Sequence, residues 1–317
     1  MFLQIALLIA GFALLLKGAD WLVDGAASLA RKYRVPELAI GLTIVAFGTS
    51  APELVVNTFA AEKGNAAIVY GNVIGSNNFN LFVILGIAAL ITPLKIHINT
   101  VRREIPLSLL AVLVLFLLTD NLFSREKHLL SRIDGLILLL FFAAFLYYVY
   151  LQLKKDRSAK GIPASDSPGW KIALLILAGL GGLMLGGRLV VDQAQALARA
   201  LGVSEKIIAL TIVAMGTSLP ELATSLLAAI KKNNDIAIGN IIGSNIFNIF
   251  LILGVSAVIR PIPYDLSFNR ELLLLGAGTI LLLLAMLSGQ KKQLDRWEAA
   301  VLLALYVAYT VLLIVRA

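Results

Sequence analysis

The sequence contains no cysteine, which excludes disulfides and thiolate metal centres. Histidine is nearly as scarce: His97 and His128 are the only two, and both lie between apolar runs. That leaves no basis for a histidine zinc site or a buried Ser-His-Asp triad. Charge is sparse as well, at 15% of residues against 59% hydrophobic, unlike an ordinary soluble domain. The longest connection rich in charge and small residues, 154–168, is too short for a folded soluble module. No basic residue precedes the first apolar run, and its positive flank, Arg31, Lys32 and Arg34, follows it. This reads as a spanning helix rather than a cleaved leader.

What the chain does have is apolar runs, each long enough to cross a hydrocarbon core of about 30 Å. They fall at 3–30, 37–61, 66–92, 104–120, 133–152, 170–198, 205–230, 234–260, 271–288 and 295–315. The expected fold class is an all-α polytopic membrane protein with ten transmembrane helices. The net charge of +8 resides mainly in the short connections, so membrane topology explains it better than nucleic acid does. Connections after odd-numbered helices carry 16 basic residues and the opposite side 9. By the positive-inside rule both termini are expected outside.

An internal repeat sets the expected architecture. Adding 168 to a residue number maps the first half onto the second without gaps from Asp24 to Pro93. Asp24 meets Asp192, Arg31 meets Arg199, Glu53 meets Glu221, Asn72 meets Asn240 and Pro93 meets Pro261. Five spans per half is an odd number, so the second copy enters the membrane from the opposite side. The expected division is a first five-helix repeat at 1–153, a cytoplasmic linker at 154–168 and a second, inverted five-helix repeat at 169–317. Transporters use inverted repeats to place one site at the midplane.

The best-matched stretch is Gly48-Thr49-Ser50-Ala51-Pro52-Glu53, repeated as Gly216-Thr217-Ser218-Leu219-Pro220-Glu221. A carboxylate at that depth is costly unless something binds it, and two equivalent ones make a functional site the leading reading. Pro52 and Pro220 lack an N–H, so inside a continuous helix each frees the carbonyl of Gly48 or Gly216. In lipid a freed carbonyl needs a partner, and a cation supplies one. Thr49, Ser50, Thr217 and Ser218 add hydroxyls, and carboxylate, hydroxyl and carbonyl oxygens together suit sodium or calcium. The plainer alternative is a proline kink with a capped glutamate.

One helix later comes Gly71-Asn72-Val73-Ile74-Gly75-Ser76-Asn77-Asn78-Phe79-Asn80, repeated as Gly239-Asn240-Ile241-Ile242-Gly243-Ser244-Asn245-Ile246-Phe247-Asn248. Asn72, Ser76 and Asn80 form a polar stripe, and Gly71 and Gly75 a seam where another backbone can approach. Ser76, Asn80, Ser244 and Asn248 are expected to face the two glutamates, with interhelical hydrogen-bond glue as the alternative. Lys17, Asp20, Asp24, Arg188 and Asp192 have spacings that allow local pairing or snorkelling.

With these motifs and their duplication in hand, the chain resembles the calcium/cation antiporter superfamily over essentially its whole length. Within it, the sodium/calcium exchanger branch in its compact prokaryotic form is the nearest match. The resemblance implies a central set of four cation sites, one for calcium and the others for sodium. Calcium ligands would be Glu53 and Glu221 with the backbone oxygens of Thr49 and Thr217. Sodium contacts would add the carbonyls of Ala46 and Ala214 and oxygens of Ser50, Ser218, Ser76 and Ser244. The family also implies that the first and sixth helices slide as a gating pair. Some sodium-coupled members carry an aspartate where this chain has Asn80 and Asn248. Two carboxylates therefore balance one calcium or two sodium ions, and a third sodium would make the cycle electrogenic.

The expected function is secondary antiport of sodium against calcium by alternating access, with transported Ca2+ and Na+, no cofactor and no enzymatic activity. A proton-coupled cation exchanger is one alternative, a passive cation channel another, and a membrane-embedded enzyme a remote third. The expected location is the plasma (inner) membrane of a prokaryote. The partners are the two ions and the lipid bilayer, with no nucleic acid and no protein partner implied.

Overall fold

A computed structural model of the chain describes residues 2–95, 100–119, 128–156, 167–202, 214–288 and 293–316. His97, Asp120, Arg125, Lys127, Arg157, Lys160, Lys206, Lys291 and Lys292 lie outside the described residues, as does most of the 154–168 linker.

Among the described residues the apolar runs are helical. In the first half they form α1 (Phe2–Tyr33), α2 (Glu37–Thr49), α3 (Ala51–Glu62), α4 (Ala66–Ile91), α5 (Ile105–Thr119) and α6 (Arg132–Asp156). The second half contributes α7 (Gly169–Ala200), α8 (Leu219–Ile230), α9 (Asn234–Ile259), α10 (Asn269–Ser288) and α11 (Arg296–Arg316). Among the described residues, seven helices are long and apolar enough to cross a membrane, or eight if α2 and α3, bent by 48°, make one span. The two other predicted segments hold shorter helices, α5 and α8. A helical turn at Ala214–Gly216 precedes α8.

The 168-residue offset reappears in the turns. The hairpin between α3 and α4 turns on Gly64 at φ 74°, and that between α8 and α9 on Lys232 at φ 63°. Likewise α1 ends on Arg34 at φ 53° and α7 on Gly202 at φ 79°. Each half thus places one glycine and one basic residue in the left-handed region, where only glycine is free of strain.

The two halves interlock. β1 (Leu94–Lys95) pairs antiparallel with β4 (Gln293–Leu294), and β2 (Leu129–Leu130) with β3 (Ile262–Pro263). Helix α6 packs on α9 and α11 on α4: Gly135 of α6 lies against Gly254 of α9, and Gly86 of α4 against Ala299 and Leu303 of α11. α1 and α7 run antiparallel at van der Waals contact, with Gly11 near Gly186 and Val190, Gly18 near Gly179 and Leu183, and Gly25 near Ile176. A Cβ on Gly18, Gly179 or Gly186 would fall 2.6 Å from a backbone nitrogen of the facing helix. No larger residue permits that approach.

Burial identifies the centre. The most apolar windows of α4 and α9 are 72% and 83% buried, against 17–33% for α1, α6, α7, α10 and α11. The outer helices present leucines and aromatics such as Leu140, Tyr147, Leu177 and Leu185, an apolar exterior suited to lipid. The two central helices carry the asparagine-rich motif, and each opens at the motif's end into a π-helical stretch, Phe79–Ile84 and Phe247–Leu253, that includes Asn80 or Asn248. Such widened turns recur at functional sites.

Candidate cation-binding site

The Gly-Thr-Ser-x-Pro-Glu motifs do not kink continuous helices as the sequence suggests; they break them. α2 ends at Thr49, Ser50 sits at φ −81° and ψ 4°, and Pro52 lies in the first turn of α3. Ser218 at φ −88° and ψ 6° and Pro220 at the start of α8 repeat the arrangement. Proline is tolerated there because the first-turn N–H groups have no intrahelical partner. A sequence signal for this exists, since Ser50-Ala51-Pro52-Glu53 and Ser218-Leu219-Pro220-Glu221 both have capping-box spacing. Neither serine caps its own helix, however. Each hydroxyl crosses to the other half instead.

Ser50 Oγ donates to Glu221 Oε1 at 3.1 Å, and Ser218 Oγ approaches Glu53 Oε1 at 3.5 Å, the outer limit of a hydrogen bond. Ser244 Oγ also reaches Glu221 Oε1 at 3.5 Å. Glu53 and Glu221 are each 1% exposed. The threonines do the same: Thr49 Oγ1 donates to Asn240 Oδ1 and Thr217 Oγ1 to Asn72 Oδ1, both at 3.0 Å. Thus the first break faces α9, and the second break faces α4. The backbone oxygen of Ala46 accepts Ser50 N–H at 3.0 Å. Ala214 holds the corresponding place in the turn before Ser218.

Between α4 and α9 the asparagines form a closed exchange. Asn77 Nδ2 donates to the Asn245 carbonyl at 3.2 Å and Asn245 Nδ2 to the Asn77 carbonyl at 3.4 Å. Asn80 Nδ2 donates to Asn245 Oδ1 at 3.1 Å, and Asn248 Nδ2 to Asn77 Oδ1 at 2.9 Å. These bonds fix how the amides of Asn80 and Asn248 face. The nitrogens of both side chains join the helices, as the hydrogen-bond alternative expects, while their oxygens have no donor. Asn77 and Asn245 were part of the quoted motif yet had no role assigned from the sequence.

The buried side-chain oxygens without a hydrogen-bond partner include Glu53 Oε2, Glu221 Oε2, Asn80 Oδ1, Asn248 Oδ1 and Ser76 Oγ. These five belong to the two repeated motifs, on elements that meet at the centre; Asn57, Asn78, Glu104, Thr224, Asn234, Ser256 and Glu271 each carry another such oxygen. Oxygen is the donor type that hard cations take. Among the described residues no group of three or more His, Cys, Asp or Glu side chains could hold a metal ion. A cation here would be met by two carboxylates and neutral oxygens only.

The close approach expected at Gly71 and Gly75 does not appear among the described residues, where an added Cβ would meet only Phe268 at 3.9 Å from Gly71 and nothing within 4 Å from Gly75. It appears instead at their counterparts Gly239 and Gly243, where a Cβ would meet Leu38, Leu42 and Ala46 of α2. For Gly71 and Gly75, the segment that the offset places opposite begins at 206 and falls largely outside the described residues. Two further acids, Glu104 and the partly buried Glu271, escaped sequence reasoning. Glu104 is fully buried and accepts from Tyr148 at 2.6 Å and Gln152 at 2.8 Å, and Glu271 accepts from Tyr309 at 2.6 Å. Both stand where an apolar run begins, which in sequence looks like a solvated end. Lys17 pairs with Asp20 at 2.7 Å and Arg188 with Asp192 at 3.7 Å, as their spacing predicts. Asp20 and Asp24 also both reach Lys231, at 2.5 and 2.6 Å, a contact that spacing cannot reveal.

Paired breaks, crossed hydrogen bonds and two carboxylates at the centre of a helical membrane protein define an ion-transport protein. The family model for the sodium/calcium exchanger protein matches residues 3–151 and 171–315. The inner membrane protein YrbG of Escherichia coli (strain K12) is 39% identical over 86% of this chain and 85% of its own length. The sodium/calcium exchanger MaX1 of Methanosarcina acetivorans is 31% identical over 97% of both chains. A solved structure of the sodium-calcium exchanger NCX_Mj superposes with a TM-score of 0.83 at 33% identity, covering 98% of both chains. The chain belongs to the sodium/calcium exchanger family, within the calcium/cation antiporter superfamily. It is a multi-pass membrane protein of a class that carries out cation antiport, a family of transporters rather than enzymes.

Proposed function

We propose that the protein is a secondary antiporter exchanging sodium for calcium by alternating access at one site between its two halves. The observation that carries this reading is the set of donorless buried oxygens on Glu53, Glu221, Asn80, Asn248 and Ser76. In this reading Glu53 and Glu221 bind calcium with the backbone oxygens of Thr49 and Thr217. Sodium uses the same carboxylates with Ser50, Ser218, Ser76, Ser244 and the carbonyls of Ala46 and Ala214, and Asn80 and Asn248 contribute amide oxygens. The carbonyl end of α2, broken at Ser50, adds a partial negative charge. Because both ions need the same two carboxylates, occupancy by one expels the other. The empty site keeps two unneutralised charges, which disfavours crossing without cargo.

Ten spans in two inverted halves, 1–153 and 169–317, complete the proposal. The antiparallel course of α1 and α7 and the two crossed hydrogen bonds related by the 168-residue offset support it. Both termini are placed outside, in the plasma (inner) membrane, and YrbG's description as an inner membrane protein supports that location. Transported Ca2+ and Na+ are cargo, no resident cofactor is proposed, and lipid is the other partner.

Calcium uptake by purified Glu53→Gln and Glu221→Gln proteins in liposomes tests the site. Losing one carboxylate removes several kcal/mol of Coulomb attraction for a divalent ion. Uptake should fall at least about a hundredfold, roughly 2.8 kcal/mol, while each variant still elutes as a folded monodisperse protein. Wild-type uptake by either variant would sink the assignment.

A further inference from the structure

The two halves differ where their first helices meet the bent spans. On one side α1 seals against α8: Ala19 and Val23 are fully buried, and Ala223 and Thr224 are 6% and 0% exposed. The matching residues on the other side, Val55 and Val56 of α3, are 50% and 38% exposed. They line a groove of about 480 Å3 that runs between α3 and α7 from Arg188 and Asp192 to Pro52 and Thr217. The site's own residues follow the same asymmetry, since Thr49 and Asn240 are buried while Thr217 and Asn72 are partly exposed.

Charge differs at the same two places. Across the sealed side, Lys231 Nζ, in the turn after α8, lies 2.5 Å from Asp20 Oδ1 and 2.6 Å from Asp24 Oδ1. Lys17 holds the other oxygen of Asp20 at 2.7 Å, so two bases meet two acids. The 168-residue counterparts are Lys63 for Lys231, Asp192 for Asp24, Arg188 for Asp20 and Leu185 for Lys17. There the lysine would face one acid and one competing base. In this structure Asp192 is engaged by Arg188 of its own helix, at 3.7 Å.

We propose that Lys231 with Asp20 and Asp24 is a charge latch that holds the α1–α8 mouth shut. Lys63 and Asp192 form the counterpart latch when the α3–α7 mouth closes, and Arg188 weakens that counterpart. The chain therefore favours the state in which the groove beside α7 is open. This rests on the alternating-access reading, in which each half in turn adopts the arrangement of the other. Partly exposed ion pairs are individually weak, but two converging on one lysine suffice to bias states that lie close in free energy.

The absence of native cysteine allows a direct test. Val55→Cys and Ala223→Cys, each alone in lipid nanodiscs, report the two mouths by their reaction rates with a small hydrophilic maleimide. Val55→Cys should react faster. Adding Lys231→Gln should raise the Ala223→Cys rate and lower the Val55→Cys rate, each roughly threefold or more. Arg188→Asp, at an exposed position, should shift both rates in the same directions by strengthening the counterpart latch. Unchanged rates, or rates rising at both mouths together, overturn the latch; if Lys231→Gln does not fold, Arg188→Asp decides alone. Sodium-driven calcium uptake by the same single-cysteine proteins separates the two ideas. Transport with unresponsive labelling removes the latch and keeps the exchanger, whereas responsive labelling without transport does the reverse.

Discussion

Glu53 and Glu221 each keep one buried oxygen without a donor, while the hydroxyls around them reach across from the opposite half. Asn77 and Asn245 hold the surrounding amides in place. Asn77→Ala removes the acceptor for Asn248 and leaves a buried amide nitrogen unpaired, which costs about 1–3 kcal/mol. Asn245→Ala should cost a similar amount through Asn80; thermal midpoints in detergent check both, and neutral substitutions would show that these bonds are incidental. Lys232 offers the opposite sign. Its φ of 63° is strained, and its counterpart Gly64 shows what fits. Lys232→Gly should therefore raise stability, by up to about 1 kcal/mol after the entropy of glycine is counted.

The two glutamates were legible in the sequence because their duplication within apolar runs leaves few ordinary explanations. The pairing of Asn77 with Asn245 was not, because in a run of asparagines helical spacing does not say which face meets the other half. Glu104 was hidden for a different reason: only packing shows that the start of α5 is roofed by Tyr148 and Gln152.

At the scale of elements, the decisive feature is that the motif-bearing spans are broken rather than kinked. Proline alone does not distinguish the two, but a serine two residues earlier at capping-box spacing favours a fresh helix start. The α1–α7 seam was likewise unread, although Gly11 and Gly18 map onto Gly179 and Gly186 by the same offset. The gapless map begins at Asp24, and Gly11 and Gly18 lie before it. Gly18→Ala and Gly186→Ala should each destabilise the pair by about 1–3 kcal/mol, since an added Cβ falls 2.6 Å from facing backbone. Gly181→Ala on the same helix meets nothing within 4 Å and should be neutral. Equal thermal shifts at all three positions would contradict a close-packed seam.

For the whole molecule, the sequence map stops at Pro93 because the connections differ in length beyond it. Arg132 donates to the Ile259 carbonyl and Arg296 to that of Ile91. Between Arg132 and Arg296 the offset is 164 rather than 168. Four extra residues in the first half hide the correspondence of α6 with α11, and only the structure restores it. The interlocking of the halves through β1–β4 and β2–β3 was invisible for a similar reason, as two-residue strands leave no periodicity to read.

The central claim is exchange of sodium against calcium at one shared site, and radiolabelled calcium uptake tests it most directly. Purified protein in liposomes loaded with sodium is diluted into sodium-free medium, with pH clamped and the membrane potential set by potassium and valinomycin. Uptake should require the outward sodium gradient. If three sodium ions leave per calcium, an inside-positive potential should accelerate it, whereas two leaving would make it indifferent to potential. Uptake that ignores sodium and follows an imposed proton gradient would contradict the account.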